Sequence, residues 1–309
     1  MLRGLLTFMA VWMGFAAQAA DRHDYVNMAR QGWSYELRTT MIGRDLSIPV
    51  RIHGRELAGA AICVVGEKPH VETQAVLNAF RQLIGNVYGK PLPMRYAGRD
   101  ARGCGSGRVV LLRLYSGAPP NRALTKDIAW MNRAYELGLP TGRNYAVMSP
   151  AMAQTFFGHL GQVTHIIVKQ PSLTRLGALE QKFYRSILIE ELFQSFTFGM
   201  DVLKFDRKAE FLSKLQESPV NPGPLPWSSR AFMRTILGSN PSGLCQFDVF
   251  MLHAVARAPM AETNKPDFIQ FVEAHFDTLR ALSDASFADP QYSPILDPTC
   301  TAERIARQP

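Results

Sequence analysis

One stretch of the chain guides the interpretation of the fold: residues 184–198 read YRSILIEELFQSFTF. At 100° per residue, Leu188 and Leu192 lie on one face of a helix, and Ile187 lies on the opposite face. A helix that is apolar on two opposite faces is buried by protein on both. The longer segment 174–198 therefore predicts a long, buried helix at the centre of the molecule.

Two carboxylates and an amide interrupt this apolar helix. Glu190, Gln194 and Glu191 share an arc of about 100°, where charged groups are costly unless they are paired or used in chemistry. In the zinc motif H-E-x-x-H, two histidines four residues apart bind the metal, and the glutamate activates the bound water. Here the same frame reads E-E-L-F-Q, which keeps Glu191 as a candidate base and replaces both histidines. Because an amide is a poor zinc ligand, the sequence excludes an ordinary two-histidine site.

The residues around this helix resemble a known family. The strand I-I-V at 166–168 precedes I-E-E-L-F-Q-S-F at 189–196, Asp201 follows after a gap, and C-Q-F-D at 245–248 begins a segment that ends at Met260. This order is similar to the secreted bacterial family called domain of unknown function family 2927, with its pattern E-E-L-x-Q, N-D and D-x-x-x-L-x-x-L-Y. The resemblance covers about residues 160–260. The chain departs from the pattern at Met200, which replaces the asparagine before the aspartate.

The resemblance implies a zincin-like α+β fold: a small mixed sheet, a long central motif helix and a helical C-terminal portion. It also implies an envelope location, and it makes Glu190, Glu191, Gln194 and Asp201 the positions of interest. Because the family resembles a degenerate relative of the zincin metallopeptidases, membership does not imply catalysis.

Two functions are consistent with these residues, and whether the protein is an enzyme stays open. We favour a non-catalytic binding or structural module, that is, a pseudoenzyme without a cofactor. Its expected partner is a cell-envelope polymer or protein, and Glu191 is expected to pair with an arginine. The alternative is a metal-dependent hydrolase or peptidase in which Glu191 is the general base and Glu190, Gln194 and Asp201 are candidate ligands of a metal, zinc above all. Histidines from elsewhere would complete that site, and the candidates are His159, His165 and His253.

The first 19 residues, MLRGLLTFMAVWMGFAAQA, predict a secretory signal peptide. They carry a single charge, Arg3, followed by an apolar run and an A-x-A exit. The apolar run is shorter than the ~20 residues that a membrane-spanning helix needs. We expect cleavage near Ala19 and a secreted or periplasmic protein without a transmembrane segment, and an uncleaved anchor is the alternative.

The cysteines agree with an oxidising compartment. The chain has four, and their spacing matches neither a C-x-x-C motif nor a zinc finger. They predict two disulfides, for which three pairings exist. We favour Cys63–Cys104 and Cys245–Cys300, because each closes a moderate loop within one half of the chain.

Composition and periodicity outline the rest of the chain. With 47% apolar and 19% charged residues, the protein is neither disordered, collagen-like nor a multi-pass membrane protein. We expect one domain at 20–283, with a candidate sub-boundary in the proline-rich segment 218–229, and an extended tail at 284–309. Predicted elements are a hairpin at 35–52, strands at 60–65, 109–115 and 163–169, and helices at 71–88, 121–137, 244–256 and 266–282.

Positive charge is concentrated in one segment. Residues 81–143 contain eleven basic and three acidic side chains. The net charge of this segment, +8, equals that of the whole chain. The densest part, RYAGRDARGCGSGR at 95–108, is most simply a solvated loop, and the functional alternative is a patch that binds an anionic envelope polymer or an acidic lipid surface. Because stacking aromatics are not interleaved there, nucleic acid is not an expected partner. The candidate anion-binding residues are Arg95, Arg99, Arg102 and Arg108.

Overall fold

A computed structural model describes residues 22–35, 47–48, 50–57, 60–171, 176–206 and 208–301. The predicted signal peptide lies outside the described residues, and so do residues 36–46 and 49 of the predicted hairpin. Residues 50–53, at the end of that hairpin, form no strand.

A mixed five-stranded sheet forms the centre of the molecule. Its strands are β1 (Ala61–Gly66), β2 (Met94–Tyr96), β3 (Val109–Tyr115), β4 (Ala151–Gly158) and β5 (Gly161–Lys169), in the order β2-β1-β3-β5-β4. Strand β4 is antiparallel to β5, and the other neighbours are parallel. The mixed α and β composition and the mixed sheet are therefore confirmed.

The parallel strands β1 and β3 are mostly apolar because helices cover both faces of the sheet. All seven residues of β3 are buried. On β1, Ile62 and Val64 face one core, whereas Cys63 and Val65 face the other. This alternation follows from the two-residue period of a strand, and it places different helices on the two faces.

Nine helices surround the sheet in the described chain. They are α1 (22–33), α2 (Gly54–Leu57), α3 (Val71–Tyr88), α4 (Asn121–Tyr135), α5 (Ala178–Thr197), α6 (Arg230–Ser239), α7 (Gln246–Arg257), α8 (Pro266–Ala274) and α9 (Phe276–Phe287). Helices α3, α5 and α7 pack in one core and α4 in the other. Helix α5 has 20 residues and is buried on both apolar faces, as predicted. Two short strands, β6 (Val202–Leu203) and β7 (Gln216–Glu217), pair beside the end of α5.

Several sequence predictions need correction. The single helix expected at 266–282 is two helices, because His275 leaves helical geometry with φ −109° and ψ 16°. The tail expected to run extended over the surface from Asp284 instead continues α9 to Phe287, and Tyr292 and Ile295 are then buried in the core. Strand β4 and helix α6 were not predicted. Segment 218–229 is irregular, as expected.

Both predicted disulfides are present. Cys63 of β1 bonds to Cys104, and Cys245 before α7 bonds to Cys300. Two disulfides fit a protein that folds in an oxidising compartment. Of the helices in the described ranges, none combines the length and apolarity needed to cross a membrane.

Candidate functional site

Three carboxylates meet beside the C-terminal half of α5. Glu190, Asp201 and Glu217 each offer an oxygen within 4.8 Å of the others. Glu190 is on α5, Asp201 follows the helix, and Glu217 is on β7. Gln194 donates a hydrogen bond from Nε2 to Asp201 Oδ1. The structure thus brings together Glu190, Gln194 and Asp201, and it adds Glu217.

A tight turn after α5 returns the chain to the helix. Phe198 ends the helix in the left-handed region with φ 56°. At Gly199, a Cβ atom would lie 2.4 Å from Leu215 and 2.8 Å from Trp33, so a larger residue does not fit. The indole N–H of Trp33 donates to the Thr197 carbonyl at 2.9 Å, which anchors the turn to α1. Asp201 is thereby placed against Gln194.

A buried lysine balances part of the carboxylate charge. Lys214 is fully buried, and its Nζ lies 3.1 Å from Glu190 Oε2. The same ammonium donates to Ser186 Oγ at 2.8 Å and to the Pro241 carbonyl at 2.6 Å, and it also contacts Asn240 Oδ1. An ammonium has three donors and no acceptor, so these oxygens satisfy it completely.

Asp248 holds the segment that carries this lysine. Its carboxylate accepts hydrogen bonds from the backbone N–H of Lys214 at 2.8 Å and from Ser213 Oγ at 2.6 Å. It also accepts from the Cys245 N–H at 2.6 Å, where it caps the first turn of α7. Burial raises the pKa of Asp248 to about 7, against the effect of these hydrogen bonds. Asp248 therefore positions Lys214 from the C-terminal helices.

Burial and mutual repulsion raise the pKa values of the clustered carboxyls. Burial and the charges of Glu190 and Asp201 raise the pKa of Glu217 to about 7, and Glu217 also hydrogen-bonds to Glu190. Burial and Glu190 raise the pKa of Asp201 to about 6, although its outer side is exposed to solvent. The cluster therefore shares protons near neutral pH instead of ionising fully.

Glu191 points to the sheet. Its carboxyl accepts a hydrogen bond from the backbone N–H of Ala153 on β4. Burial, and then the charges of Glu190 and Asp201, raise the pKa of Glu191 well above the usual range. The predicted base therefore lies against the edge strand, and within the described chain none of the charged groups that act on its pKa is an arginine.

In the part of the chain that the structure describes, no strand pairs with the outer edge of β4, which lies beside α5. The Lys169 N–H donates to the Pro150 carbonyl, so the alternation of an antiparallel ladder turns the backbone groups of Ala153, Thr155 and Phe157 away from β5. A cleft of about 280 Å³ lies between this edge and the end of α5. Its lining includes Tyr35, Ala153, Thr155, Gln194, Phe198 and Met200.

The candidate histidines lie elsewhere. His165 bonds to Asp127 at 3.0 Å in the other core, and His253 bonds to Ser286 at 2.9 Å. Burial and the charge of Arg257 lower the pKa of His253 to about 4. His159 is in the turn between β4 and β5. All seven histidines fall within the described residues, and none belongs to the carboxylate cluster.

Three of the four candidate arginines contact different partners. Arg102 pairs with Asp100 at 2.6 Å, and Arg95 donates to the carbonyl of Cys104. Arg108 pairs with Glu56 at 3.0 Å and borders a separate cavity. The remaining arginine, Arg99, is exposed. Their role in anion binding stays a prediction.

Sequence reasoning missed Lys214 and Glu217. Lys214 lies in the turn before β7 and Glu217 lies on this two-residue strand, and neither periodicity nor a motif marks these positions as buried. Asp248 was part of the quoted family pattern, but nothing in that pattern indicated its contact with the Lys214 backbone.

Comparison of the chain with protein-family models, with curated proteins and with solved structures gives no match. The resemblance to family 2927 stays a prediction.

Proposed function

We propose that the protein is a non-catalytic binding module of the cell envelope with a zincin-like fold, and that its cleft between β4 and α5 binds an extended polypeptide. The mixed sheet and the E-E-L-F-Q helix packed on its edge strand support the fold assignment. One observation supports the non-catalytic function: the ammonium of Lys214 contacts Glu190, which occupies the position of the first histidine in the zinc motif.

The residues do not fit zinc. Protein zinc sites are built from histidine and cysteine with some carboxylates, whereas the cluster in the described chain offers carboxylate oxygens alone. A fixed positive charge at Glu190 also opposes the approach of a divalent cation. Burial and the charges of Glu190 and Asp201 raise the pKa of Glu191 well above the usual range, which disfavours the ionised form that a general base needs.

The cleft has the features of a strand-binding groove. Among the described residues, the outward backbone groups of Thr155 and Phe157 pair with no other strand, and they can supply hydrogen bonds to an added strand. Met200, 49% exposed, and Phe198 give the opposite wall an apolar surface for side chains. Backbone pairing with apolar contact gives affinity for extended segments without a catalytic group.

The test is fluorescence anisotropy with fluorescein-labelled casein peptides, followed by mass spectrometry of the same peptides. We expect binding with a Kd on the order of 10 μM and intact peptides, with or without added zinc. Met200→Asp should weaken binding about tenfold or more, because it places a charge in an apolar contact. Met148→Asp is the matched control, since Met148 is 76% exposed and is not part of the cleft lining.

Absence of binding would overturn the proposal. Cleavage of the peptides by the wild type, abolished by Glu191→Gln, would instead establish the hydrolase.

A further inference from the structure

A second cavity, of about 570 Å³, lies where β4 turns into β5. Its walls come from three separate segments, residues 51–56, 106–108 and 157–162. Phe157 borders both this cavity and the cleft described above. The volume falls in the range of small-molecule sites, about 300–1,000 Å³.

Basic side chains dominate the polar lining of this cavity. Arg51, Arg108, His53 and His159 line it, against one carboxylate, Glu56. The Nδ1 atom of His53 is buried and has no hydrogen-bond partner in the described chain. Because buried polar atoms are nearly always paired, this nitrogen indicates a missing ligand atom or water.

The single carboxylate does not neutralise the cavity firmly. Glu56 and Arg108 are 3.0 Å apart, and their side chains are 47% and 59% exposed. An ion pair with this exposure contributes about 0–1 kcal/mol. An anion can therefore compete with Glu56 for the guanidinium of Arg108. Arg51 supplies a second guanidinium to the cavity.

The walls are held in place before any ligand arrives. The Tyr135 hydroxyl donates to the Gly107 carbonyl at 2.7 Å, and the Leu160 N–H donates to the Tyr135 carbonyl at 3.1 Å. At Gly158, a Cβ atom would lie 2.0 Å from that carbonyl, so only glycine allows the turn to pack against α4. The Cys63–Cys104 disulfide anchors the loop before Gly107. A fixed wall lowers the entropic cost of binding.

We propose that this cavity binds a small organic anion, a sugar-sized molecule that carries a carboxylate or a phosphate. Arg51 and Arg108 bind its oxyanion by charge-assisted hydrogen bonds, which guanidinium groups form with two oxygens at once. His53 and His159 supply further ring nitrogens, and Phe157 and Leu160 contact the carbon skeleton. This site is separate from the strand-binding cleft and does not depend on peptide binding.

Isothermal titration calorimetry with three probes of one ring size tests the proposal: glucose 6-phosphate, glucuronate and neutral glucose. We expect at least one anion to bind with a Kd below about 1 mM, and glucose not to bind. The anion that binds more tightly identifies the head group.

Arg51→Gln and Arg108→Gln should each weaken binding about tenfold or more, the loss of one charge-assisted hydrogen bond. Arg102→Gln is the matched control: it removes the same charge from an exposed arginine outside the cavity, and it should change the Kd less than about twofold. All three arginines are exposed, so the variants should fold, which circular dichroism checks.

The proposal is wrong if neither anion binds at about 10 mM, if glucose binds as well as the anions, or if the double variant Arg51→Gln, Arg108→Gln binds as the wild type does.

Discussion

Two buried polar centres lie on opposite faces of the sheet, and they are built differently. In the core that contains α4, Arg113, Asp127 and His165 are each less than 5% exposed and bond to one another. Although burial raises the pKa of Asp127, hydrogen bonds from His165 and Arg113 hold it below the usual value. Charge and hydrogen bonds are matched there, as in a structural centre.

Around α5 the balance is different. The ammonium of Lys214 faces several carboxyls, and one of them, Asp201, reaches solvent. Protons shared among the carboxyls reduce the excess negative charge. Burial and the charges of Glu190 and Asp201 raise the pKa of Glu217 to about 7. Burial of polar groups therefore does not by itself indicate a functional site. Here the indication is a cluster whose negative charge exceeds its positive charge and which lies beside an open cleft.

Removal of the carboxylate from the balanced centre should have the largest effect. Asp127→Ala leaves the guanidinium of Arg113 buried without a counter-charge, and we expect a loss of about 3–5 kcal/mol in the free energy of unfolding. Urea denaturation at pH 7 measures it. Glu262→Ala, which removes an exposed pair with Lys265, is the control and should cost less than about 0.5 kcal/mol. A cost below about 1 kcal/mol for Asp127→Ala would show that the two centres do not differ as described.

The unbalanced centre should tolerate loss of its cation better. Lys214→Met leaves Glu190 and several buried acceptors without a donor, and we expect a cost of about 2 kcal/mol, because the carboxyls can take up protons or contact water. The same denaturation experiment measures it, with Lys265→Met as the exposed control.

The double variant Lys214→Met, Glu190→Gln tests the contact itself. It should be more stable than the sum of the two single variants predicts, because neither charge is then left unpaired. Strict additivity would show that Lys214 and Glu190 do not interact.

Between pH 5 and pH 7 the wild type should lose on the order of 1–2 kcal/mol of stability relative to the double variant Glu217→Gln, Asp201→Asn. The folded pKa values of Glu217 and Asp201, about 7 and about 6, lie above an unfolded value of about 4, so the folded state binds more protons in this window. Solvent around Asp201 reduces the size of the effect. The other charged groups that face them are Glu190, Glu191, Lys214 and Asp248.

Asp127 acts in the opposite direction. With its lowered pKa, it adds stability above the usual carboxyl pKa, and this contribution is lost as the pH falls below about 4. Urea denaturation of the wild type and of the double variant Glu217→Gln, Asp201→Asn across pH 3–8 measures the difference, in which the opposite contribution of His253, whose pKa is lowered to about 4, cancels. The same change in stability from pH 5 to pH 7 in both proteins would refute the shared-proton cluster.

Much of the fold could be predicted from the sequence because its signals are local. The six apolar residues of β3, the 3.6-residue period of α3 and the two apolar faces of α5 define these elements without tertiary information. The disulfide pairing followed from loop length alone.

The unpredicted parts depend on contacts distant in sequence. Strand β4 mixes polar and apolar residues because it lies at the sheet edge, so its pattern is weak. Lys214 is buried only because Asp248, 34 residues later, fixes its backbone. Helical spacing and the resemblance to family 2927 indicated Glu190, Gln194 and Asp201, which the structure brings together. Glu191 instead faces β4, and Glu217 comes from a separate strand.

The central claim concerns Glu190, which occupies the position of the first histidine in the zinc motif. We propose that Lys214, and not a metal, provides the positive charge at this position. The most direct measurement is the metal content of the purified mature protein by mass spectrometry, after equilibration with zinc and dialysis. Less than about 0.1 zinc per chain is expected, since the donor set lacks histidine and cysteine. One zinc per chain, lost in Glu190→Gln, would contradict the claim.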